Sequence, residues 1–121
     1  MADATLAELT TRIAEKLFIL IAGETVEAED STTIQKVIVS VHEQLREDGI
    51  CYWSDSATPQ HVLEYDAAYI ACFLANDYMD AAEARTFKED RETGVQASLA
   101  MLRSLTATRK RVAEPVRSQF F

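Results

Sequence analysis

Apolar residues recur at helical spacing along most of this chain, and polar breaks divide the pattern into four segments. Leu6, Leu9, Ile13, Leu17 and Leu20 lie on one face of a first predicted helix. It opens on Thr5-Leu6-Ala7-Glu8, a capping box in which Thr5 accepts from a free amide and Glu8 reaches back. The apolar run predicts an end near Ala22, with Gly23 as the left-handed closing residue. Phe18, Ile19 and Ile21 widen that end, which reads as deep core or a subunit contact. A second helix is predicted over Glu27 to Asp48. Its first turn is acidic, its buried stripe is Ile34, Val37, Ile38, Val41 and Leu45, and Gly49 stops it. Ile50-Cys51-Tyr52-Trp53 then reads as a short extended stretch leading to a surface loop, Ser54 to Thr58.

Thr58-Pro59 predicts a cap and first-turn proline for a third helix through Val62, Leu63, Tyr69, Ile70, Phe73 and Leu74. Its alanines, Ala67, Ala68, Ala71 and Ala75, permit close approach by another helix. Asp80-Ala81-Ala82-Glu83 is a second capping box. It predicts a fourth helix to about Leu105, bent at Gly94, with Leu99, Met101, Leu102 and Leu105 apolar. Beyond Leu105 periodicity fails and Pro115 is incompatible with a regular helix interior. The expected architecture is all-α: a compact four-helix bundle over residues 1–106 and an extended basic arm over 107–121.

Composition agrees. Of 121 residues 48% are apolar, with only three glycines and two prolines, which is too hydrophobic for disorder and too poor in turn residues for a many-stranded β fold. Cys51 and Cys72 have no metal-binding or redox spacing and are expected as reduced, buried thiols. No opening signal and no apolar run of about 20 residues is present, so a soluble chain made in a cytoplasm is expected, without membrane contact. Charge is divided unevenly. Arg103 to Phe121 carries five basic side chains against one acid, whereas the other 102 residues hold nineteen acids and seven basics. Such a division separates a folded body from a segment that works by touching something else. The acidic body argues against wrapping DNA, and Arg109-Lys110-Arg111 is too short a basic run to make a nucleic-acid site.

Catalytic chemistry finds little support. His42 and His61 lack metal-ligand spacing and read as surface or structural residues. Asp66, between Tyr65 and Tyr69, is the least ordinary acid, and a polar helix face accounts for it. Ser54, Ser56 and the cysteines have no base at readable spacing, and no glycine-rich loop cradles phosphate. No catalytic residue, cofactor or metal is expected. Tyr52 and Trp53 read either as a partner contact on the tail side or between subunits, or as a small satellite core under the loop.

The order of several short motifs carries more information. Thr5-Leu6-Ala7-Glu8-Leu9 is followed by Ala14-Glu15-Lys16-Leu17. Ala28-Glu29-Asp30 enters the second helix, and Leu45-Arg46-Glu47-Asp48-Gly49-Ile50 ends it before an aromatic stretch, an acidic loop and Pro59. An alanine-rich helix ends in Ala75-Asn76-Asp77-Tyr78, with a last helix after it. Over most of the body this order resembles the small head-to-tail adaptors (tail accessory or head-completion proteins) of short-tailed, lambdoid-type bacteriophages. Members typically break the first helix soon after a Leu-Gly pair, where this chain has Leu17-Phe18 and further apolar residues.

The resemblance implies a non-enzymatic virion protein that joins the portal vertex after DNA packaging. A homo-oligomeric ring, usually twelve-fold, would extend the channel, carry the tail nozzle or other tail proteins, and let double-stranded DNA pass without specific binding. Arg103, Arg109, Lys110, Arg111, Arg117, Phe120 and Phe121 are then the expected contacts to the portal or a neighbouring subunit. Forked arginine bonds to carboxylates and aromatic anchors in pockets suit such docking. Two other readings stand beside it: a cytoplasmic helical regulator that binds one partner through the basic tail, and a carboxylate-dependent hydrolase.

Overall fold

The computed structural model describes residues 2–20 and 24–113, the last six of them by backbone alone. Five helices follow one another: α1 (Leu6–Lys16), α2 (Ala28–Glu47), α3 (Gln60–Tyr78), α4 (Ala81–Lys88) and α5 (Val95–Ala113). The fold is all-α. Its one extended pairing among the described residues is an isolated antiparallel bridge, Ala4 to Thr58.

α3 is the axis. Apolar or small residues on nearly every side of it are buried, from Val62 and Leu63 through Ala67, Ile70 and Ala71 to Leu74 and Ala75. A helix that is apolar all round must be covered all round. Accordingly α1, α2, α4 and α5 all pack on it, and α1 also meets α2. Leu9 and Ile13 of α1, Ile34, Ile38 and Leu45 of α2, and Leu102 of α5 complete the core with no exposed surface. The third helix departs from expectation at two points. Phe73 is 52% exposed, packed edge-on against Tyr69, because the buried arc of α3 turns away from it. Pro59 rather than Thr58 occupies the N-cap, and the Thr58 backbone is engaged with Ala4 instead (Ala4 N to Thr58 O 2.7 Å, Thr58 N to Ala4 O 2.9 Å).

Thr5 and Glu8 form the expected capping box on α1. The far end differs from the sequence expectation. α1 stops at Lys16, and Leu17 caps it. Phe18 N–H donates to Glu15 O (3.1 Å) and Ile19 N–H donates to Ala14 O (3.2 Å), with Phe18 at φ 63°. This is a Schellman closure. α2 ends in the same way: Gly49 at φ 77° donates to Arg46 O and Ile50 donates to Leu45 O. A bulky L-residue thus stands where α2 uses glycine, and its side chain is 82% exposed. The expected closing residue, Gly23, lies outside the described residues. Because left-handed backbone strains a side chain that glycine would spare, Phe18→Gly should raise stability by about 1 kcal/mol in urea unfolding. A loss instead would show that the phenylalanine ring is held by contacts that offset the strain.

The expected long fourth helix is two helices. A turn at 89–94 separates them, closed by Asp90, whose Oδ1 accepts from Glu92 N–H (2.8 Å) and Thr93 N–H (3.0 Å). A Cβ on Gly94 would lie 2.5 Å from the carbonyl oxygens of Lys88 and Asp90, so the glycine permits a close backbone approach and not merely a bend. α5 then runs to Ala113, past the expected end at Leu105, so residues 107–113 are helix and not extended arm. Arginine, lysine and alanine favour helix without needing burial, and a helix that runs to Ala113 stops short of both Pro115 and the residue whose backbone that proline restricts. Residues 114–121 lie outside the described ones.

Candidate functional site

The first candidate is inside. His42 faces the core from α2, one residue past Val41 in the apolar stripe, and is wholly buried. Its Nε2 is 2.7 Å from Oδ2 of Asp66, on α3 and equally buried. Its Nδ1 is 2.7 Å from Oδ1 of Asp55, in the loop between those helices. Arg46, one turn further along α2, donates to the same Asp55 oxygen and to the carbonyl of Trp53, each at 2.9 Å. Trp53 presents its ring edge-on to His42, with centroids 6.0 Å apart. The loop is therefore held to the bundle by a chain of charges running from Arg46 through Asp55 and His42 to Asp66.

Burial pulls the His42 imidazole down, but hydrogen bonding and charge from Asp66, and then from Asp55, outweigh it and raise the group above 6.5. Burial likewise pushes Asp55 up, and His42 and Arg46 more than reverse this, holding its carboxyl below 3.8. The carboxylate on each nitrogen favours the imidazolium, the form in which His42 donates from both. In that form it has no lone pair to accept a proton, and its side chain is wholly buried, so it is not poised as a general base. The arrangement joins α2, α3 and the loop between them.

Nearby, Cys51 donates to Trp53 O (3.4 Å), and burial pushes its thiol up to about 11. Cys72 is also free and buried and is raised to about 11 by the same cause. Both match the inert thiols expected from spacing. Among the described residues no group of three or more His, Cys, Asp or Glu could hold a metal, and no helix is long and apolar enough to cross a membrane.

The second candidate lies on the surface. Phe18, Met79, Ala82, Glu83, Thr86, Phe87, Asp90 and Thr93 line a groove of about 510 Å³ between the end of α1 and α4. Its lining includes two acids, Glu83 and Asp90, and no basic side chain. Lys16, Glu64, Tyr65, Ala68, Arg91, Glu92, Thr93, Ala97, Ala100 and Met101 border a second depression of about 630 Å³, which shares Thr93 with the first. Two ion pairs of Glu64, with Arg12 and with Lys16 (3.0 Å), bind α1 to α3 beside it.

No protein-family model, curated protein or solved structure matches the chain. The residues themselves must therefore carry any reading.

Of the residues singled out from sequence, Trp53 is buried in the core, so it supports the loop and is not a surface contact. Tyr52 is 40% exposed, stacked edge-on against Trp53 at 5.1 Å, with its hydroxyl 3.4 Å from His61 Nε2. Arg103 is exposed on α5. Arg109, Lys110 and Arg111 lie in the last turns of that helix, their side chains undescribed, whereas Arg117, Phe120 and Phe121 fall outside the described residues. Sequence reasoning missed the pairing of His42 with Asp66. Asp66 is fully buried, so the polar helix face expected to account for it does not include it. The available signal was an aspartate beside Ala67, Ala68 and Ile70 on a largely apolar helix, where a carboxylate must find a buried partner.

Proposed function

We propose that this chain is a head-to-tail adaptor of a short-tailed bacteriophage, a non-enzymatic protein that forms a ring on the portal and offers a platform to the tail. The order of motifs that resembles such adaptors supports this reading, together with an all-helical body. The observation that carries most weight is the division of charge. An acidic bundle ends in a helix whose last described buried side chain is Thr106 and whose backbone runs on through Arg109, Lys110 and Arg111. These basic residues are thus set on the last turns of α5. A preformed helix loses less entropy on docking than an extended arm would. Around a ring, each engaged copy raises the effective concentration of the next contact.

Electron microscopy of the chain mixed with portal rings encoded beside it tests the reading, with the chain alone as control. A ring layer added to the portals is the expected result. Removal of Glu114 to Phe121 should abolish that layer while leaving the helical circular dichroism unchanged. Bare portals with the full chain would overturn the assignment in favour of a small regulatory complex.

A further inference from the structure

Phe18 is an anomaly twice over. It occupies left-handed backbone where the equivalent closure of α2 has Gly49, and it holds its ring in solvent, 82% exposed. Strain kept at an exposed aromatic points to a use for that side chain. The ring lines the groove together with Met79, Ala82 and Phe87 and with two acids, Glu83 and Asp90. The groove therefore combines apolar side chains with carboxylates and has no basic side chain. The segment Arg117-Ser118-Gln119-Phe120-Phe121 of the same sequence has the complementary chemistry: one guanidinium, a short polar step and two adjacent aromatic rings. Aromatic anchors in pockets, with an arginine at the edge, are the usual carriers of binding energy at interfaces.

We propose that the groove between Phe18 and α4 receives the Arg117–Phe121 segment of a second copy of this chain. Length decides between a second copy and the chain's own tail. The groove lies at the beginning of α5, since Asp90 and Thr93 line it immediately before Val95. Ala113 lies at the other end of that helix, about 27 Å away at 1.5 Å per residue. Phe120 and Phe121 follow by seven and eight residues, which reach at most about 23 to 29 Å when fully extended. Retracing α5 would consume that whole length, leaving none for the reversal at Ala113 or the lateral step to Phe18 and Phe87. The chain's own rings fall short, whereas a neighbour's do not.

Groove and tail leave opposite ends of α5, so the contact is head-to-tail and unlike surfaces meet. Such a contact propagates, and closes into a ring when the rotation between copies divides a full turn. Its use in a ring rests on the adaptor reading. The contact between copies does not.

The test titrates a synthetic peptide of residues 111–121 into isotope-labelled full chain carrying Phe120→Ala and Phe121→Ala, followed by amide chemical shifts. Shifts clustered at 18–20 and 79–93 are expected. Adding Phe18→Gly, which relieves strain and keeps the fold, should weaken the peptide by about tenfold or more. Glu83→Lys should weaken it too, and a peptide with Arg117→Glu should regain affinity for that variant. Mixing Phe18→Gly chain with the tail-substituted chain should give a one-to-one complex in sedimentation, although neither associates alone. Absent shifts, shifts elsewhere, or indifference to Phe18→Gly would each overturn the proposal. The tail-substituted chain, full chain and portal rings compared by microscopy separate the two ideas. Groove binding with bare portals upholds this contact and sinks the adaptor, and decorated portals with a silent groove do the reverse.

Discussion

Asp66→Ala should cost about 3–5 kcal/mol of unfolding free energy in urea at pH 6, the loss expected when one partner of a buried pair is removed and the other is left in the core. His42 would keep only Asp55, at the edge of the loop, and its second N–H would face a void. Asp66→Asn retains an acceptor for that N–H and should lose less. Adding His42→Leu to the Asp66→Ala chain should recover part of the loss, because no unpaired charge then remains. The sign of the pH dependence follows from the two shifts. His42 is raised above 6.5, so its contribution is complete below that value and is lost as pH climbs through the folded-state value. Asp55 is lowered from 3.8, so its contribution is present above 3.8 and is lost as pH falls through its folded-state value. The network therefore supports the fold most between those limits. Wild-type stability should decline on the alkaline side in a way that the Asp66→Ala chain does not follow. A variant within 1 kcal/mol of wild type at pH 6 would remove His42–Asp66 from the account of what holds α2 to α3.

Gly94→Ala is the second large effect, and here local and tertiary reasoning predict opposite signs. Helix propensity alone gives alanine an advantage of about 1 kcal/mol over glycine inside a helix. The backbone around Gly94 reverses this, because the new Cβ would meet two carbonyl oxygens at 2.5 Å and the Asp90 nitrogen at 2.7 Å. Those atoms belong to the end of α4 and the turn after it, and cannot rotate aside as a side chain does. A loss of about 2 kcal/mol or more is expected, with α4 losing protection from hydrogen exchange before α5 does. A gain in stability would mean that the chain from Ala81 to about Leu105 runs as the single bent helix that its sequence suggests.

That contrast shows how far local pattern reaches. The caps at Thr5 and Asp80, the stop at Gly49 and the stripe of α2 depend on residues within one or two turns of each other, and all are legible from sequence. The break after Lys88 was signalled only by an absence, since no apolar residue stands between Phe87 and Val95. The end of α1 defeats pattern reading for a physical reason. Leu17 to Ile21 is apolar enough to continue a helix, yet Ile19 closes the Schellman motif through its backbone and packs against the core, and that packing is tertiary. His42 and Asp66 are separated by 24 residues, and no spacing rule joins them. The apolar neighbours of Asp66 in sequence, Ala67, Ala68 and Ile70, were their one advance notice.

The order in which these parts are made follows from the place of α3 at the centre. α1 leaves the ribosome first, but the surface it covers belongs mostly to α3, and Ala4 waits for Thr58 to complete its bridge. At 5–20 residues per second the interval between Lys16 and Tyr78 lasts roughly 3–12 s. Throughout it Leu9, Ile13 and Leu17 have no permanent cover. The nascent chain is thus exposed to wrong partners in its first half, and consolidation comes as a late, concerted event once the third helix has emerged.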